Sequence, residues 1–310
     1  MLTIYKKVDD KMIVADEIEK GCWVNLCNPN EDEIKTIIEK LELDPDWVRA
    51  ALDDEESARI ESENGSYLII VDMPIVEAEG KSFLYTTIPL GIIIVDTAIV
   101  TVSLKSTPLF TDFADGKIKT FFPHKKTRFL LQLLYRNATR FLQYLKQIDK
   151  TSTHIQNDLT KSTKNKELFQ LLALEKSLVY FSTSLTSNDM VLDKLKKYDF
   201  IKKYDEDIDL IEDVIIENKQ AIEMCNIYRD ILSGTMDAFA SVISNNLNIV
   251  MKLLAAITIV MAIPTLIASI WGMNVPMPFE TSRYGFLIVA GSSILISALV
   301  AYIMHKKKMF

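Results

Sequence analysis

Two uninterrupted apolar runs near the C-terminus limit what this chain can fold into. The first extends from Leu253 to Trp271 and the second from Tyr284 to Met304, and neither contains a charged side chain. A helix of about 20 apolar residues matches the roughly 30 Å hydrocarbon core of a bilayer. We therefore predict two membrane-spanning helices joined by a short loop, residues 272–283, after a large N-terminal domain.

The lysines predict how these spans are oriented. Lys252 lies just before the first span and Lys306-Lys307-Lys308 follows the second, whereas the loop carries Arg283 alone. Basic residues are enriched on the cytoplasmic side of membrane proteins. We expect a multi-pass protein of the cell (inner or plasma) membrane with both termini in the cytoplasm, and the first residues do not resemble a secretory leader.

Composition argues against several other classes of protein. The net charge of −7 does not favour nucleic acid as a partner. Three cysteines without CxxC spacing and three scattered histidines do not predict a His/Cys metal centre. We find no P-loop, nucleophile elbow or metal-hydrolase spacing, so we expect no enzyme activity, no catalytic residue and no organic cofactor.

Residues 1–120 are predicted to form a cytoplasmic α/β domain, and the overall fold class is α+β, a mixed sheet with helices. Asn30 and Glu33 form a candidate capping box for a helix that extends to about Leu43. Asn64-Gly65 indicates a turn. Runs rich in Ile, Val and Tyr predict strands at Leu2–Tyr5, Trp23–Cys27, Tyr67–Asp72, Gly91–Val95 and Ile99–Ser103.

The remaining chain is predicted to be helical. Residues 121–205 contain two paired long helices with a polar bend at 162–166. Residues 206–271 form a stalk helix that continues as the first span, which as one helix of about 65 residues would be roughly 95 Å long. Residues 272–283 are the extracytoplasmic loop, 284–304 the second span and 305–310 a basic cytoplasmic tail.

One face of the stalk helix carries small and polar side chains at alternating intervals of four and three residues. Continued toward the N-terminus, the same face carries Asp230 and Glu223. Such a stripe fits either close helix packing or a pore lined by several copies of the helix. Because most members can form hydrogen bonds, the pattern favours the pore. The stripe consists of Asp237, Ser241, Ser244, Asn248, Met251, Ala255, Thr258, Ala262, Thr265 and Ser269.

Several of these segments match a known family. Gly272-Met273-Asn274 ends the first span, Arg229–Asp237 lies on the stalk, and the chain finishes Lys-Lys-Lys-Met-Phe. Together with Glu55–Glu61 and the strand at Tyr67, this pattern resembles the CorA magnesium channels. The resemblance implies a homopentamer in the lipid bilayer, in which each subunit contributes its long helix to a central pore.

The resemblance also implies roles for residues of the pore. Gly272, Met273 and Asn274 would form the selectivity element at the outer mouth. Met251 and Leu254 would form a hydrophobic constriction, and Asp237 an acidic ring at the cytoplasmic exit. The family often has methionine at the position of Ala262, so we expect a wider passage there.

The resemblance also implies that Mg²⁺ is both the transported ion and a regulator of the channel. Asp213 matches a carboxylate that binds regulatory Mg²⁺ between neighbouring subunits, and Glu79, Glu212 and Glu217 are candidate partners. Bound Mg²⁺ would hold the channel closed when the cytosolic concentration is high. Glu280, in the loop, matches an acidic position that can attract cations.

Two alternatives stay open. A Co²⁺, Ni²⁺ or Zn²⁺ transporter can have the same architecture, although the stripe offers no soft ligands and so favours Mg²⁺. A membrane-anchored sensor domain without a pore would instead use the stripe as a dry packing face.

Overall fold

The computed structural model describes residues 1–9, 11–79, 82–161, 165–273 and 283–307, which form two compact units, Met1–Ser233 and Gly234–Phe310. The strands are β1 (Leu2–Val8), β2 (Lys11–Ala15), β3 (Cys22–Cys27), β4 (Arg59–Glu63), β5 (Ser66–Glu79), β6 (Ser82–Ile94) and β7 (Ala98–Ser103). The helices are α1 (Glu31–Leu41), α2 (Pro45–Ala50), α3 (Pro108–Ala114), α4 (Lys126–Lys161), α5 (Asn165–Leu195), α6 (Asp205–Trp271) and α7 (Gly285–Lys306).

The strands form one mixed sheet in the order β2-β1-β3-β7-β6-β5-β4. β3 and β7 run parallel at its centre, and the other neighbouring pairs are antiparallel. Every residue of β7 is buried, as expected for a strand that is covered on both faces. The predicted class, a mixed sheet with helices joined to a long helix and two apolar helices, is confirmed.

A separate hydrophobic core lies on each face of the sheet. On one face, Ile37 of α1 and Val48 of α2 pack with alternate side chains of the central strands. On the other, Trp23 is fully buried and its ring centroid lies 5.3 Å from that of Phe129. Trp23 Nε1 donates a hydrogen bond to Thr101 Oγ1 at 2.8 Å, so the indole keeps its polar partner inside the core.

Strands β5 and β6 extend beyond their neighbours as a two-stranded ribbon. β4 pairs with β5 only as far as Ile70, and β7 pairs with β6 only from Leu90 onward. Pro74 and Pro89 lie just past these limits. Proline has no N–H and cannot donate to the partner strand. Each proline therefore lies in a non-hydrogen-bonded pair, in which the backbone groups point to the free edges of the ribbon.

Side chains of α4 and α5 replace the missing strands at these edges. Asn188 Oδ1 accepts from the Asp72 N–H at 2.8 Å, and its Nδ2 donates to the Asp72 carbonyl at 2.9 Å. Asn137 Nδ2 donates to the same carbonyl at 2.8 Å. On the β6 edge, Ser177 Oγ accepts from the Tyr85 N–H at 3.1 Å. At Asp72 and Tyr85, the outward backbone groups of the ribbon are therefore satisfied by helix side chains rather than by a neighbouring strand.

The predicted strands and the capping box are confirmed. Asn30 accepts from the Glu33 N–H, and the Glu33 carboxylate accepts from the Asn30 N–H. α1 ends at Leu41, before the expected Leu43, because Glu42 adopts a left-handed C-cap with φ of 50°. Asn64 and Gly65 have φ of 48° and 80°, the backbone of a tight hairpin turn.

Four elements of the structure were not predicted from the sequence, and the predicted polar bend lies mostly outside the described residues. Strands β2 and β4 and the short helices α2 and α3 were missed. The polar bend at 162–166 lies mostly outside the described residues, since α4 ends at Lys161 and α5 begins at Asn165. The predicted segment boundaries at residues 120 and 205 stay predictions.

Gly91 provides a test of how closely β6 packs against α2. A Cβ atom at Gly91 would lie 2.3 Å from the Ala51 Cβ, a distance that side chains do not tolerate. We expect Gly91→Ala to reduce the free energy of unfolding by about 1–3 kcal/mol through overpacking. Thermal unfolding of the full chain in detergent would measure it. The double variant with Ala51→Gly should recover most of the loss, and equal melting of the single and double variants would disprove the steric cause.

Candidate functional site

The unit Gly234–Phe310 contains two apolar helices, the C-terminal part of α6 and all of α7. Both are long and apolar enough to cross a membrane, and only 6% of each apolar stretch is buried. Nearly all of their apolar side chains therefore face outward, as lipid-facing side chains must. The predicted span Leu253–Trp271 is helical throughout, and the predicted span Tyr284–Met304 is helical from Gly285 onward.

One face of α6 is buried within this unit. Ala256 is fully buried, and Val260, Ile263, Ile267 and Trp271 are half-buried. These positions are three or four residues apart and so lie on a single side of the helix. On α7 the buried positions are Gly285, Ser293 and Met304.

The polar stripe lies on the opposite side of α6. At about 100° per residue, Thr258, Thr265 and Ser269 are roughly half a turn away from Ala256 and Ile267. Every stripe member from Asp237 to Ser269 is exposed. The stripe is therefore not used for packing within one chain, and it is free to face water or another copy.

Hydroxyl groups of the stripe donate their protons to the helix backbone. Ser241 Oγ donates to the Asp237 carbonyl at 3.0 Å, and Thr258 Oγ1 donates to the Leu254 carbonyl at 2.8 Å. Thr265 Oγ1 donates to the Met261 carbonyl at 3.1 Å. A hydroxyl has one proton and two lone pairs. With the proton used, these oxygens present only acceptors outward, which suits cations and their hydration water.

The stripe has a groove in its outer half. The groove is lined by Thr258, Met261, Ala262, Thr265, Leu266, Ser269 and Ile270. The apolar rim of the groove is formed by Met261, Leu266 and Ile270. These residues were not among the candidates predicted from the sequence. Their position beside the stripe is the only feature of the sequence that could have identified them. Nearer the N-terminus, Met251 and Leu254 are 56% and 58% exposed and present apolar surface on or beside the same face.

The end of α6 positions the start of the Gly-Met-Asn motif. The Gly272 N–H donates to the Ala268 carbonyl at 3.0 Å, and Met273 is 57% exposed. A Cβ at Gly272 would lie 3.2 Å from the Ala268 carbonyl oxygen, so the glycine allows a close approach at the helix end. Asn274 and Glu280 lie outside the described residues.

Among the described side chains, the proposed regulatory acids Asp213, Glu212 and Glu217 are not gathered into one metal site. Glu212 Oε1 lies 2.9 Å from Nζ of Lys196, which directly follows α5, and Glu217 Oε1 accepts from Thr139 Oγ1 of α4 at 3.2 Å. The side chain of Glu79 is outside the description. Among the described residues, no group of three acidic, His or Cys side chains is arranged to hold a metal.

The environment of Asp213 differs from that of Glu212 and Glu217. Asp213 is exposed on α6 and shares one face of that helix with Ile216 and Ile227, which are 62% and 54% exposed. A carboxylate on such a face can reach a ligand or a neighbouring molecule.

The chain was compared with known families and proteins. The family model for the CorA-like Mg²⁺ transporter protein matches residues 19–306. The chain belongs to the CorA-like Mg²⁺ transporter family. This is a family of transporters and not a class of enzymes. With its two apolar helices the chain is a membrane protein, and its arrangement fits a cytoplasmic N-terminal domain.

Individual relatives agree with this assignment. The cobalt/magnesium transport protein CorA of Methanocaldococcus jannaschii is 27% identical, over 99% of each chain. The protein of the same name from Thermotoga maritima is 33% identical over 104 residues, 33% of this chain and 30% of that protein. The complete structure of the M. jannaschii transporter matches with a TM-score of 0.86, 24% identity and coverage of 98% and 97% of the two chains.

Cysteine reactivity distinguishes a wet pathway from a dry packing face. Methanethiosulfonate reagents need water and a thiolate. In proteoliposomes of a Cys27→Ser background, we expect Ser241→Cys, Thr258→Cys and Thr265→Cys to react about tenfold faster or more than Ile257→Cys. Ile257 is exposed in one chain but lies off the stripe, and is the matched control.

The native thiols will not obscure this measurement. Burial raises the pKa of the Cys225 thiol to about 12, and burial also raises the pKa of Cys22. Both therefore stay protonated and unreactive near neutral pH. If the stripe cysteines react no faster than Ile257→Cys, the stripe is a dry interface.

Proposed function

We propose that this chain is one subunit of a homopentameric channel that admits Mg²⁺ into the cell down its electrochemical gradient and is closed by cytosolic Mg²⁺. The observation that carries the proposal is the exposed polar stripe on a span whose opposite face is buried. Fivefold symmetry is taken from the resemblance to the CorA channels. Five copies of α6 would place their stripes around a common axis.

The chemistry of the stripe suits a hydrated cation. Mg²⁺ gives up its water ligands reluctantly, so a pathway that carries it must interact with the hydration shell. The outward oxygens of Thr258 and Thr265 accept hydrogen bonds from those waters without holding the ion as firmly as carboxylates would. The membrane potential supplies about 4.6 kcal/mol per 100 mV for a divalent ion, at about 2.3 per charge, so no ATP is needed.

The outer mouth would be formed by Gly272, Met273 and Asn274. A ring of neutral amide oxygens can contact the waters of a hydrated ion and still release it. A ring of carboxylates would bind the ion more strongly and slow its release. Glu280, in the loop that follows, would add a negative charge near the entrance.

The gate and the inner exit lie at the cytoplasmic side of the stripe. Met251 and Leu254 expose apolar side chains there, and a ring of them would close the pathway by excluding water. Asp237 would form an acidic ring that collects ions at the exit. The small side chain of Ala262 leaves room farther out and so concentrates the barrier at Met251 and Leu254.

Negative feedback would act through Asp213. Its exposed carboxylate would bind Mg²⁺ together with an acid from a neighbouring subunit, for which Glu79, Glu212 and Glu217 are the candidates. Bound ions would hold the subunits in the closed arrangement, and their loss at low cytosolic Mg²⁺ would release it.

A second candidate substrate is Co²⁺. The relatives from M. jannaschii and T. maritima are both named cobalt/magnesium transport proteins. Like Mg²⁺, Co²⁺ can cross as a hydrated ion, so the same oxygen-lined pathway would serve it. The absence of cysteine and histidine from the stripe gives no corresponding support for Zn²⁺.

Replacing Asn274 tests the selectivity element. We expect Asn274→Ala to lower Mg²⁺ uptake into dye-loaded proteoliposomes by about tenfold or more, equivalent to at least about 1.4 kcal/mol in the barrier. Asn246→Ala removes an exposed amide of α6 that lies off the stripe and should transport normally. Parental rates and parental Mg²⁺ over Ca²⁺ preference in Asn274→Ala would remove Asn274 from the selectivity element.

Limited proteolysis tests the regulatory site. Mg²⁺ should protect the parent from cleavage by favouring the closed arrangement, and Asp213→Ala should need a several-fold higher Mg²⁺ concentration for the same protection. Asp193→Ala removes an exposed acid of α5 and is the matched control. Protection that is identical in Asp213→Ala and the parent would contradict the assignment.

A further inference from the structure

Four buried side-chain polar atoms of the N-terminal unit have no hydrogen-bond partner within the part of the chain that the structure describes, and two of the four belong to residues that line one small cavity. These two atoms are Thr107 Oγ1 and Asn137 Oδ1. The two residues are 7% and 4% exposed, so bulk water does not reach them. An unpartnered buried polar atom costs about 1–3 kcal/mol, which makes two of them in one cavity unexpected without a ligand.

The orientation of the Asn137 amide is fixed by its other contact. Asn137 Nδ2 donates to the Asp72 carbonyl at 2.8 Å, and a flipped amide would place two oxygens against each other. The amide oxygen therefore must find a donor elsewhere. Thr107 precedes α3 as its N-cap residue, yet its hydroxyl makes no capping hydrogen bond. Both groups are thus available to the same ligand.

The cavity has the size and polarity for one water molecule. The space open to the centre of a water molecule is about 10 Å³, near the minimum for a single water. Its walls come from β5, the start of α3 and α4, and they also include Arg140 and Tyr144. A larger ligand would not fit, and an ion would find no carboxylate.

Asn137 also borders a second cavity of the same size, with Asn188 and Asn218. There the other amides already have partners, because Asn188 is paired with Asp72 and Asn218 Nδ2 donates to the Leu185 carbonyl at 3.1 Å. The first cavity alone combines Asn137 with another unpartnered group. It is the better place for the missing donor.

We propose that a single internal water molecule occupies this cavity, donates a hydrogen bond to Asn137 Oδ1 and bonds to Thr107 Oγ1. The water links the start of α3 to α4, and through Asn137 it supports the hydrogen bond that holds the free edge of β5. This site is independent of the proposed transport function.

A density map of the full chain at a resolution of about 2 Å or better, which shows ordered water, tests the proposal. We expect a peak within hydrogen-bond distance of both Thr107 Oγ1 and Asn137 Oδ1. Thr107→Ser keeps the hydroxyl and should keep the peak, whereas Thr107→Val, which has nearly the same shape, should lose it.

Several outcomes would overturn the proposal. They are an empty cavity in the parent, a direct hydrogen bond from Arg140 or Tyr144 to Asn137 Oδ1, or a peak only in the cavity beside Asn218. A peak that persists in Thr107→Val would exclude Thr107 as a partner. If Thr107→Val does not fold, the parent map decides alone.

Discussion

A hydroxyl or amide on a membrane-spanning helix must be kept from lipid, and the proposed arrangement of this protein depends on that requirement. Leaving such a group unpaired in hydrocarbon costs several kcal/mol. The hydroxyls of Ser241, Thr258 and Thr265 meet half of the requirement by donating to the backbone, but their acceptor lone pairs still point outward. Because the buried face of the unit is on the other side of α6, one chain cannot cover the stripe. In the proposed channel, other copies that enclose water would complete the structure.

Side-chain to backbone hydrogen bonds solve a related problem in the N-terminal unit. The ribbon of β5 and β6 extends past its neighbours and would leave peptide groups unpaired inside the protein. Asn188 supplies both a donor and an acceptor to Asp72, as a neighbouring strand would. The same contact fastens α5 to the sheet. Polar residues on the sheet-facing side of a helix therefore help to fix where that helix lies.

The features that the sequence predicted well are those set by nearby residues or by one helical period. A charge-free run of sufficient length predicts a span, and Asn30 with Glu33 predicts a helix start, because each depends only on local geometry. Spacing along one helix also predicted that the members of the stripe share a face, and the structure adds that this face is exposed in a single chain. Its role in transport, like that of Asn274, stays a prediction.

Features that depend on distant contacts could not be predicted in this way. The sequence pattern of β4 is largely polar, and the extension of β5 passes through Pro74, which argues against a strand unless the strand has a free edge. Asn137 and Asn188 look like ordinary helix residues until the ribbon is in place. The partner of Asp213 was beyond sequence reasoning for a different reason, since the proposed site is completed by another subunit.

The two prolines of the ribbon have a consequence for assembly. An open strand edge invites a strand from another molecule, which is a common route to aggregation. Pro74 and Pro89 offer no N–H at the two open edges, and Asn188 and Ser177 already occupy neighbouring backbone groups. The ribbon is therefore closed to added strands on both sides. In the proposed assembly, several copies would associate through their helices without their sheets fusing.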